Sequence, residues 1–206
     1  MLYKFRDRRG FSLIEFLVSI SIVTIILTVV ISNQSTYTSG IALTNLADEV
    51  ASSLSQAQSY GVGVREVIVG SSEFSAAYGL TFSKLPSGSE TAYLSFADRN
   101  SNRFYDNDWS CAIGGSSECL AKNIISRGNY IFDLCATRSS GGDQCNMGRI
   151  DITFTRPKTE AQLTFFNNGG NQVNPPNVTG AKIIFKSPNG ATKSTTVYTT
   201  GQITAQ

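Results

Sequence analysis

The chain has 206 residues and no histidine, which excludes Ser-His-Asp triads, Cys-His dyads and His-ligated metal sites. Lysine and arginine number 17 against 15 aspartate and glutamate, but the first ten residues hold four of the bases and one of the acids. The remaining 13 bases and 14 acids make the rest of the chain nearly neutral, so its charge gives no reason to expect a nucleic-acid partner.

The N-terminal residues 1–10 are basic, and the following residues 11–31 are apolar apart from one charge, Glu15. As a helix, residues 11–31 would span about 31 Å, the thickness of a bilayer core. The flanking bases predict a cytoplasmic N-terminus. The rest of the chain, long enough for one modest domain, would then face outward into an oxidising space.

Two simpler explanations of this N-terminus account for less of it. A secretory signal has a shorter apolar core of roughly 7–15 residues and a small-residue cleavage site, which residues 31–33 do not provide. A plain signal anchor explains the length and the basic flank but not Glu15. A carboxylate inside hydrocarbon costs about 2.5–3.5 kcal/mol on insertion scales, so Glu15 is predicted to be functional.

Residues 9–15, RGFSLIE, resemble the processing motif of type IV prepilins. The resemblance implies that a membrane prepilin peptidase cuts after Gly10 and N-methylates Phe11, and that Glu15 guides assembly by meeting the N-terminal amine of a neighbour. It also implies the partners: other pilin or pseudopilin subunits, an assembly platform in the inner membrane, and the membrane itself. Such a protein is a structural subunit without a cofactor rather than an enzyme.

An amphipathic pattern follows the apolar run, with apolar residues at steps of four and three from Leu43 to Ala57. We therefore predict a leader 1–10 and one helix 11–60, with a membrane and assembly segment 11–31 and an end at Gly61 and Gly63. Residues 32–40 are weak helix formers and could form a bend or a melted section. Two separate helices are the alternative.

The pattern changes after residue 63, where short strand-like runs alternate with turns. The predicted fold class is α+β: a long N-terminal helix, transmembrane in its first half, packed against an antiparallel β-rich head at 61–206. Residues 150–155 alternate as a half-buried strand should, and residues 187–190 form a hairpin turn. The candidate strands are 64–69, 78–83, 91–96, 130–134, 149–155, 161–166, 181–186 and 195–200.

The body of the chain resembles the GspH/FimT-type minor pilins and pseudopilins. The resemblance lies in the helix segment 46–61, in the Asx-rich loop after Phe96, and in a final strand that runs into residues 200–203. It implies a pilin fold, but it does not separate a pilus subunit from a secretion pseudopilus subunit.

Four cysteines lie within one stretch of 35 residues: Cys111, Cys119, Cys135 and Cys145. In an exported domain their even number indicates two disulfides, for which three connectivities exist. We favour Cys111–Cys119 and Cys135–Cys145, because each would close a short Gly/Ser-rich loop. Free thiols and a zinc site are the alternatives, and spacings of eight and ten residues fit zinc poorly.

Oxygen-bearing side chains stand at positions 1, 3, 5 and 9 of a loop: Asp98, Asn100, Asn102 and Asp106. This spacing resembles the first part of an EF-hand calcium loop, which makes these residues candidate ligands. The pattern departs from the motif at position 6, which is Arg103, and at position 12, which is Trp109. The alternative is an Asx-turn loop whose side chains bond their own backbone.

The C-terminal residues 151–206 hold five bases against two acids. Some pilins of the resembling subfamily bind DNA through a basic C-terminal region, so a pilus-tip subunit that binds DNA or a surface is the alternative function. A surplus of three charges over 56 residues is typical of an ordinary solvated face, and we do not expect DNA binding. A membrane-anchored enzyme is the third hypothesis, and no nucleophile–base pair or phosphate loop supports it.

Overall fold

The computed structural model describes residues 10–67 and 74–206, and for residues 32–36 it describes the backbone alone. The chain divides into a first compact unit that ends at Thr38 and a second unit, Ser39–Gln206. The leader residues 1–9 lie outside the described part, as does the end of the candidate strand at 64–69.

A single helix, α1, runs from Leu13 to Val62. Its bounds differ by two residues from those predicted, and its backbone stays helical through residues 32–40. The predicted melted section is therefore wrong. Gly61 does not end the helix as predicted. A Cβ there would lie 2.2 Å from the carbonyl oxygen of Phe154, so glycine is needed for the close approach of helix and strand.

In the described part of the chain ten strands follow the helix, and they form two antiparallel sheets. They are β1 (Ala77–Ser83), β2 (Ser89–Asp98), β3 (Cys119–Ile124), β4 (Tyr130–Arg138), β5 (Arg149–Phe154), β6 (Ala161–Phe166), β7 (Gln172–Val173), β8 (Val178–Lys186), β9 (Thr192–Tyr198) and β10 (Ile203–Ala205). The larger sheet has the order β3-β2-β1-β5-β6-β7 and the smaller sheet the order β10-β9-β8-β4. The predicted α+β class with an antiparallel sheet is confirmed.

One face of the second half of α1 fills the core of the Ser39–Gln206 unit. This face packs against the inward side chains of both sheets, and its residues are Leu43, Leu46, Ala47, Val50, Leu54 and Ala57. Polar contacts fix the helix at two further points. The Thr195 hydroxyl donates to the Ala47 carbonyl at 2.9 Å, and Gln58 Nε2 donates to the carbonyls of Thr159 and Gly201 at 2.9 and 3.0 Å.

Seven of the eight candidate strands correspond to observed strands. The described residues 64–67 are not a strand, and β3, β7 and β10 were not predicted. The hairpin turn at 187–190 is confirmed, since the Gly190 N–H donates to the Ser187 carbonyl at 2.9 Å between β8 and β9.

The outer face of the larger sheet is covered by the loop 99–118. Tyr105 and Trp109 from this loop pack with Leu94, Phe96 and Cys119 in a second apolar cluster. Asp151 lies under this cover, where the Tyr105 N–H donates to it. Asp151 and Thr153 are both fully buried, so the prediction that one face of β5 meets solvent is wrong. The physical reason is a loop that returns over the sheet, which strand alternation does not reveal.

Candidate functional site

The apolar half of α1 presents its side chains outward along its whole length. From Phe11 to Ile31 every large apolar side chain is at least 47% exposed, and Leu13–Ile31 is long and apolar enough to cross a membrane. The four hydroxyl side chains of this segment donate to backbone carbonyls four residues earlier at 2.8 Å: Ser19, Ser21, Thr24 and Thr28. Its hydroxyls therefore need no water, which suits a hydrocarbon surrounding.

The three residues of the processing motif lie at the start of this helix. Gly10 and Phe11 are exposed and precede it, while Glu15 lies in its first turn. The Phe16 N–H donates to the Ser12 carbonyl at 3.2 Å, which makes Ser12 the residue before the first turn. Ser12 and Glu15 have the spacing of a capping box, a signal that the sequence analysis did not use.

The predicted calcium ligands come together only in part. Asp98 is buried at the end of β2, and its two carboxylate oxygens accept from the backbone N–H groups of Asn102 and Arg103 at 3.1 and 2.8 Å. The side-chain amides of Asn100 and Asn102 both donate to one Asp106 oxygen at 2.5 Å. Three of the four side chains thus converge on one point, while the fourth caps the turn.

The same side chains also bond their own backbone, as the Asx-turn alternative predicts. The Asn100 oxygen accepts from the Asn102 N–H at 3.1 Å, and the Asn102 oxygen accepts from the Phe104 N–H at 3.0 Å. Ser101 and Arg103 have φ values of 64° and 74°, so the chain turns through the left-handed region twice within three residues. The loop is consequently closed by its own Asx side chains.

Glu118 is a buried carboxylate against this loop that sequence reasoning missed. Its two oxygens accept from the backbone N–H groups of Arg99 and Asp106 at 3.3 and 3.1 Å. Burial raises the pKa of the Glu118 carboxyl, and the nearby Asp106 and Asp98 charges act in the same direction, against the donation from the Asp106 N–H. Glu118 directly precedes Cys119, so the disulfide hairpin carries this carboxylate to the loop.

A buried ion pair on β5 holds the middle of the loop. Asp151 accepts from the Tyr105 N–H at 3.1 Å, and Arg149, which is paired with Asp151, donates to the Tyr105 carbonyl. Burial raises the pKa of the Asp151 carboxyl, although the Arg149 charge opposes the shift. These residues were missed because they lie more than 40 positions away from Tyr105 and only the tertiary fold brings them there.

Both predicted short-loop disulfides are present, Cys111–Cys119 and Cys135–Cys145. The zinc and free-thiol alternatives are therefore wrong for this structure. Among the described residues, Asp133 lies with Cys135 and Cys145 in a cluster of metal-binding types. Its sulfurs are joined to each other, and the Asp133 carboxylate accepts from the Leu134 and Asn146 N–H groups at 2.8 and 3.1 Å, so this cluster does not fit a metal.

Four of the five C-terminal bases are engaged within the chain. The Arg156 guanidinium donates to the Phe74 carbonyl. Lys158 pairs with Glu160 at 3.7 Å and Lys182 pairs with Asp143 at 3.4 Å. The Lys186 ammonium lies 4.5 Å from the ring centre of Phe132. These contacts favour the ordinary solvated face over a DNA-binding patch.

Comparison with known protein families finds a similarity at the N-terminus. The family model of the prokaryotic N-terminal methylation motif matches residues 5–31, which include Gly10, Phe11 and Glu15. Comparisons with curated proteins and with solved structures give no significant match. The N-terminus therefore carries the motif of type IV prepilin-like proteins.

Proposed function

We propose that this protein is a fibre subunit, a minor pilin or pseudopilin of the GspH/FimT type, in a type IV pilus or a type II secretion pseudopilus. The observation that carries the proposal is the methylation motif at the start of an apolar helix segment whose side chains are all exposed. Such a segment needs lipid before assembly and other helices after it. An α+β body on the second half of the same helix agrees with the pilin fold.

The proposed pathway begins in the inner membrane, with the N-terminus in the cytoplasm and the β-rich head outside. A prepilin peptidase removes residues 1–10 and methylates Phe11, and an assembly platform then moves the helix from lipid into the fibre. There the Phe11 amine of one subunit neutralises Glu15 of another, which offsets the cost of a carboxylate in an apolar surrounding. The resulting array is an open, heterologous assembly.

Mass spectrometry of the subunit from cells with an active prepilin peptidase tests the processing step. We expect a chain that begins at N-methylated Phe11. An intact Gly10–Phe11 bond in those cells contradicts the proposal.

The assembly step is tested by the amount of subunit in sheared fibres. Glu15→Ala should lower this amount at least tenfold, because the carboxylate that meets the neighbour's amine is lost. Ser21→Ala, which removes a self-satisfied hydroxyl from the same segment, should leave it unchanged. Equal incorporation of Glu15→Ala and the native subunit would falsify the proposed role of Glu15.

We also propose that the Asx-rich loop binds calcium, since the side chains of Asn100, Asn102 and Asp106 lie together. Both amides turn their nitrogens toward Asp106, so binding would require each to rotate its oxygen toward the ion. These three residues, together with Asp98, would hold the ion. Calcium would supply positive charge to a loop that also has the Glu118 carboxylate against it.

Calorimetric titration of the full chain in detergent tests this proposal. Ca²⁺ should release or take up heat and raise the melting temperature, with about 2.7 kcal/mol of stabilisation at 100 times Kd. Asp106→Asn should abolish both effects, and the exposed helix variant Asp48→Asn should retain them. A flat thermogram with a melting temperature unchanged by chelator discards the calcium site.

A further inference from the structure

Strand β3 is an edge strand of the larger sheet, and no other described strand pairs with its outer side. The Ile125 N–H donates to the Thr91 carbonyl at 2.8 Å, next to the aligned pair Ala92↔Ile124. Because bonded and non-bonded pairs alternate in an antiparallel ladder, the backbone groups of Asn123 point toward β2, and those of Lys122 and Ile124 point away from it. Within the described part of the chain no hydrogen bond reaches those outward groups.

The other sheet edges differ from this one. The edge at β4 is covered by the following loop, since Gln144 pairs with Ala136 and the Met147 N–H donates to the Leu134 carbonyl at 3.0 Å. The edges at β7 and β10 are two and three residues long. Among the described strands, β3 is therefore the edge with both the length and the free backbone groups to accept another strand.

A groove of about 310 Å³ lies beside β3, between the inner face of the sheet and α1. Its floor includes Ala121 and Asn123 of β3, and its far wall includes Ser53, Gln56 and Tyr60 of the helix. A strand added to β3 would lie about 4.8 Å from it and would direct alternate side chains into this groove. Edge and groove together thus form one surface.

Among the described residues that line the groove, Arg65 is the one with a charge. Its guanidinium stacks on the Tyr60 ring, with the central carbon 3.7 Å from the ring centre. Among the described residues none accepts a hydrogen bond from this guanidinium. A stacked guanidinium keeps its in-plane N–H groups free, and the geometry of those groups matches a carboxylate.

Lysine at the centre of the edge argues against a second copy as the partner. Pairing of two β3 edges would bring Lys122 near its own equivalent, and like charges across a ladder are destabilising. With Lys122 on the outer side and Arg65 on the groove side, the surface is complementary to an acidic strand.

We infer that the β3 edge and its groove bind an extended, acidic segment of a different subunit by strand addition, with one carboxylate directed to Arg65. The source of this segment, a neighbouring subunit of the fibre, rests on the proposed function. The binding chemistry does not, and it can be tested without any fibre.

Two synthetic peptides serve as probes, Ac-Thr-Val-Glu-Val-Thr-NH2 and the same peptide with Gln in place of Glu. Each is titrated into the isotope-labelled full chain in detergent micelles while amide exchange and chemical shifts are followed. The Glu peptide should slow exchange of the Lys122 and Ile124 amides. It should bind about tenfold more tightly than the Gln peptide, since the charge-assisted bond to Arg65 is lost in the latter.

Three variants and one altered peptide separate the contributions. Arg65→Gln should make the two peptides equal in affinity, and Lys122→Pro should abolish binding because it removes an outward N–H without removing a ladder bond. Lys122→Ala, which keeps the N–H, should still bind. If Lys122→Pro does not fold, the Glu peptide with N-methylated valines tests the same point on the native protein and should not bind.

Any of three results overturns the inference. They are unchanged exchange at Lys122 and Ile124, equal affinity of both peptides for the native chain, and undiminished binding of the N-methylated peptide. A fibre subunit that fails this test would still carry methylated Phe11 and depend on Glu15, so the two proposals fail separately.

Discussion

The carboxylates of the Ser39–Gln206 unit and the carboxylate of the apolar segment of α1 differ in their hydrogen-bond partners. In Ser39–Gln206, Asp98, Glu118 and Asp151 are buried, and each accepts hydrogen bonds from the backbone of one loop. In the described part of the apolar segment, Glu15 has no side-chain partner, although it is the segment's one charge. The carboxylates of Ser39–Gln206 are thus satisfied within the chain, whereas under the proposed function Glu15 would be neutralised by the amine of another subunit.

Removing a buried acid of the head should produce the largest effect. Asp151→Asn leaves Arg149 without its ion-pair partner and should lower the free energy of unfolding by about 3–5 kcal/mol. Chemical denaturation of the full chain in detergent measures the loss. Glu160→Gln, at an exposed ion pair, is the control and should cost about 0–1 kcal/mol. Equal losses would show that Asp151 is not needed to hold the loop.

The two halves of α1 should respond differently to the same truncation. Leu54→Ala removes a fully buried side chain and should lower the free energy of unfolding of the head by about 2–5 kcal/mol. Leu17→Ala removes a side chain that is 52% exposed and should leave that free energy unchanged. A comparable loss from Leu17→Ala would mean that the apolar segment belongs to the core of the head.

The disulfides should add an intermediate contribution to the head alone. Replacing Cys135 and Cys145 together by serine removes a bridge between cysteines ten positions apart. This should lower the free energy of unfolding by about 3 kcal/mol, because the unfolded chain gains entropy. Thermal unfolding with and without reductant gives an independent value for both bridges. A native chain whose melting temperature does not change with reductant would contradict this expectation.

The smallest effect should be a dependence on pH. The pKa of Glu118 is raised in the folded head, so the folded state binds this proton more tightly than the unfolded chain does. The free energy of unfolding should therefore rise as the pH falls from neutrality toward the ordinary glutamate pKa of 4.5, and the contribution is lost as the pH rises. The raised pKa of Asp151 has the same sign.

Glu118→Gln tests the assignment of that slope. The variant should have a flatter pH dependence over the same interval, in addition to a constant loss, because an amide accepts at only one of its two positions. If its slope equals that of the native chain, the pH dependence belongs to other groups.

Local patterns in the sequence predicted the parts of the fold that depend on neighbours along the chain. The α1 bounds, the hairpin at 187–190 and β6 follow from periodicity and turn chemistry. Strand β3 was missed because it lacks simple alternation: a bulge beside Cys119 shifts its register against β2. Strands β7 and β10 are too short to give a periodic signal.

The residues of the candidate site also fall into those predicted from a local motif and those brought together by the tertiary fold. Gly10, Phe11 and Glu15 form a local motif that is readable in seven residues. The contacts of Glu118 and Asp151 join residues up to 46 positions apart. Alternation along β5 predicted that Asp151 is exposed to solvent, whereas it is buried. Whether a loop covers the outer face of a sheet depends on tertiary contacts, which the pattern of residues within the strand does not predict.

Because Glu118 is next to Cys119, the order of the loop at 99–118 depends on the redox state of the compartment in which the chain folds. The carboxylate that gathers the Arg99 and Asp106 amides is held by a bridge to Cys111 that forms only in an oxidising compartment. A head produced in a reducing cytosol would therefore carry an unfinished loop even if its core were intact. In practice, recombinant protein for binding studies should come from the periplasm, and in the cell the ordered loop would mark a subunit that has already been exported.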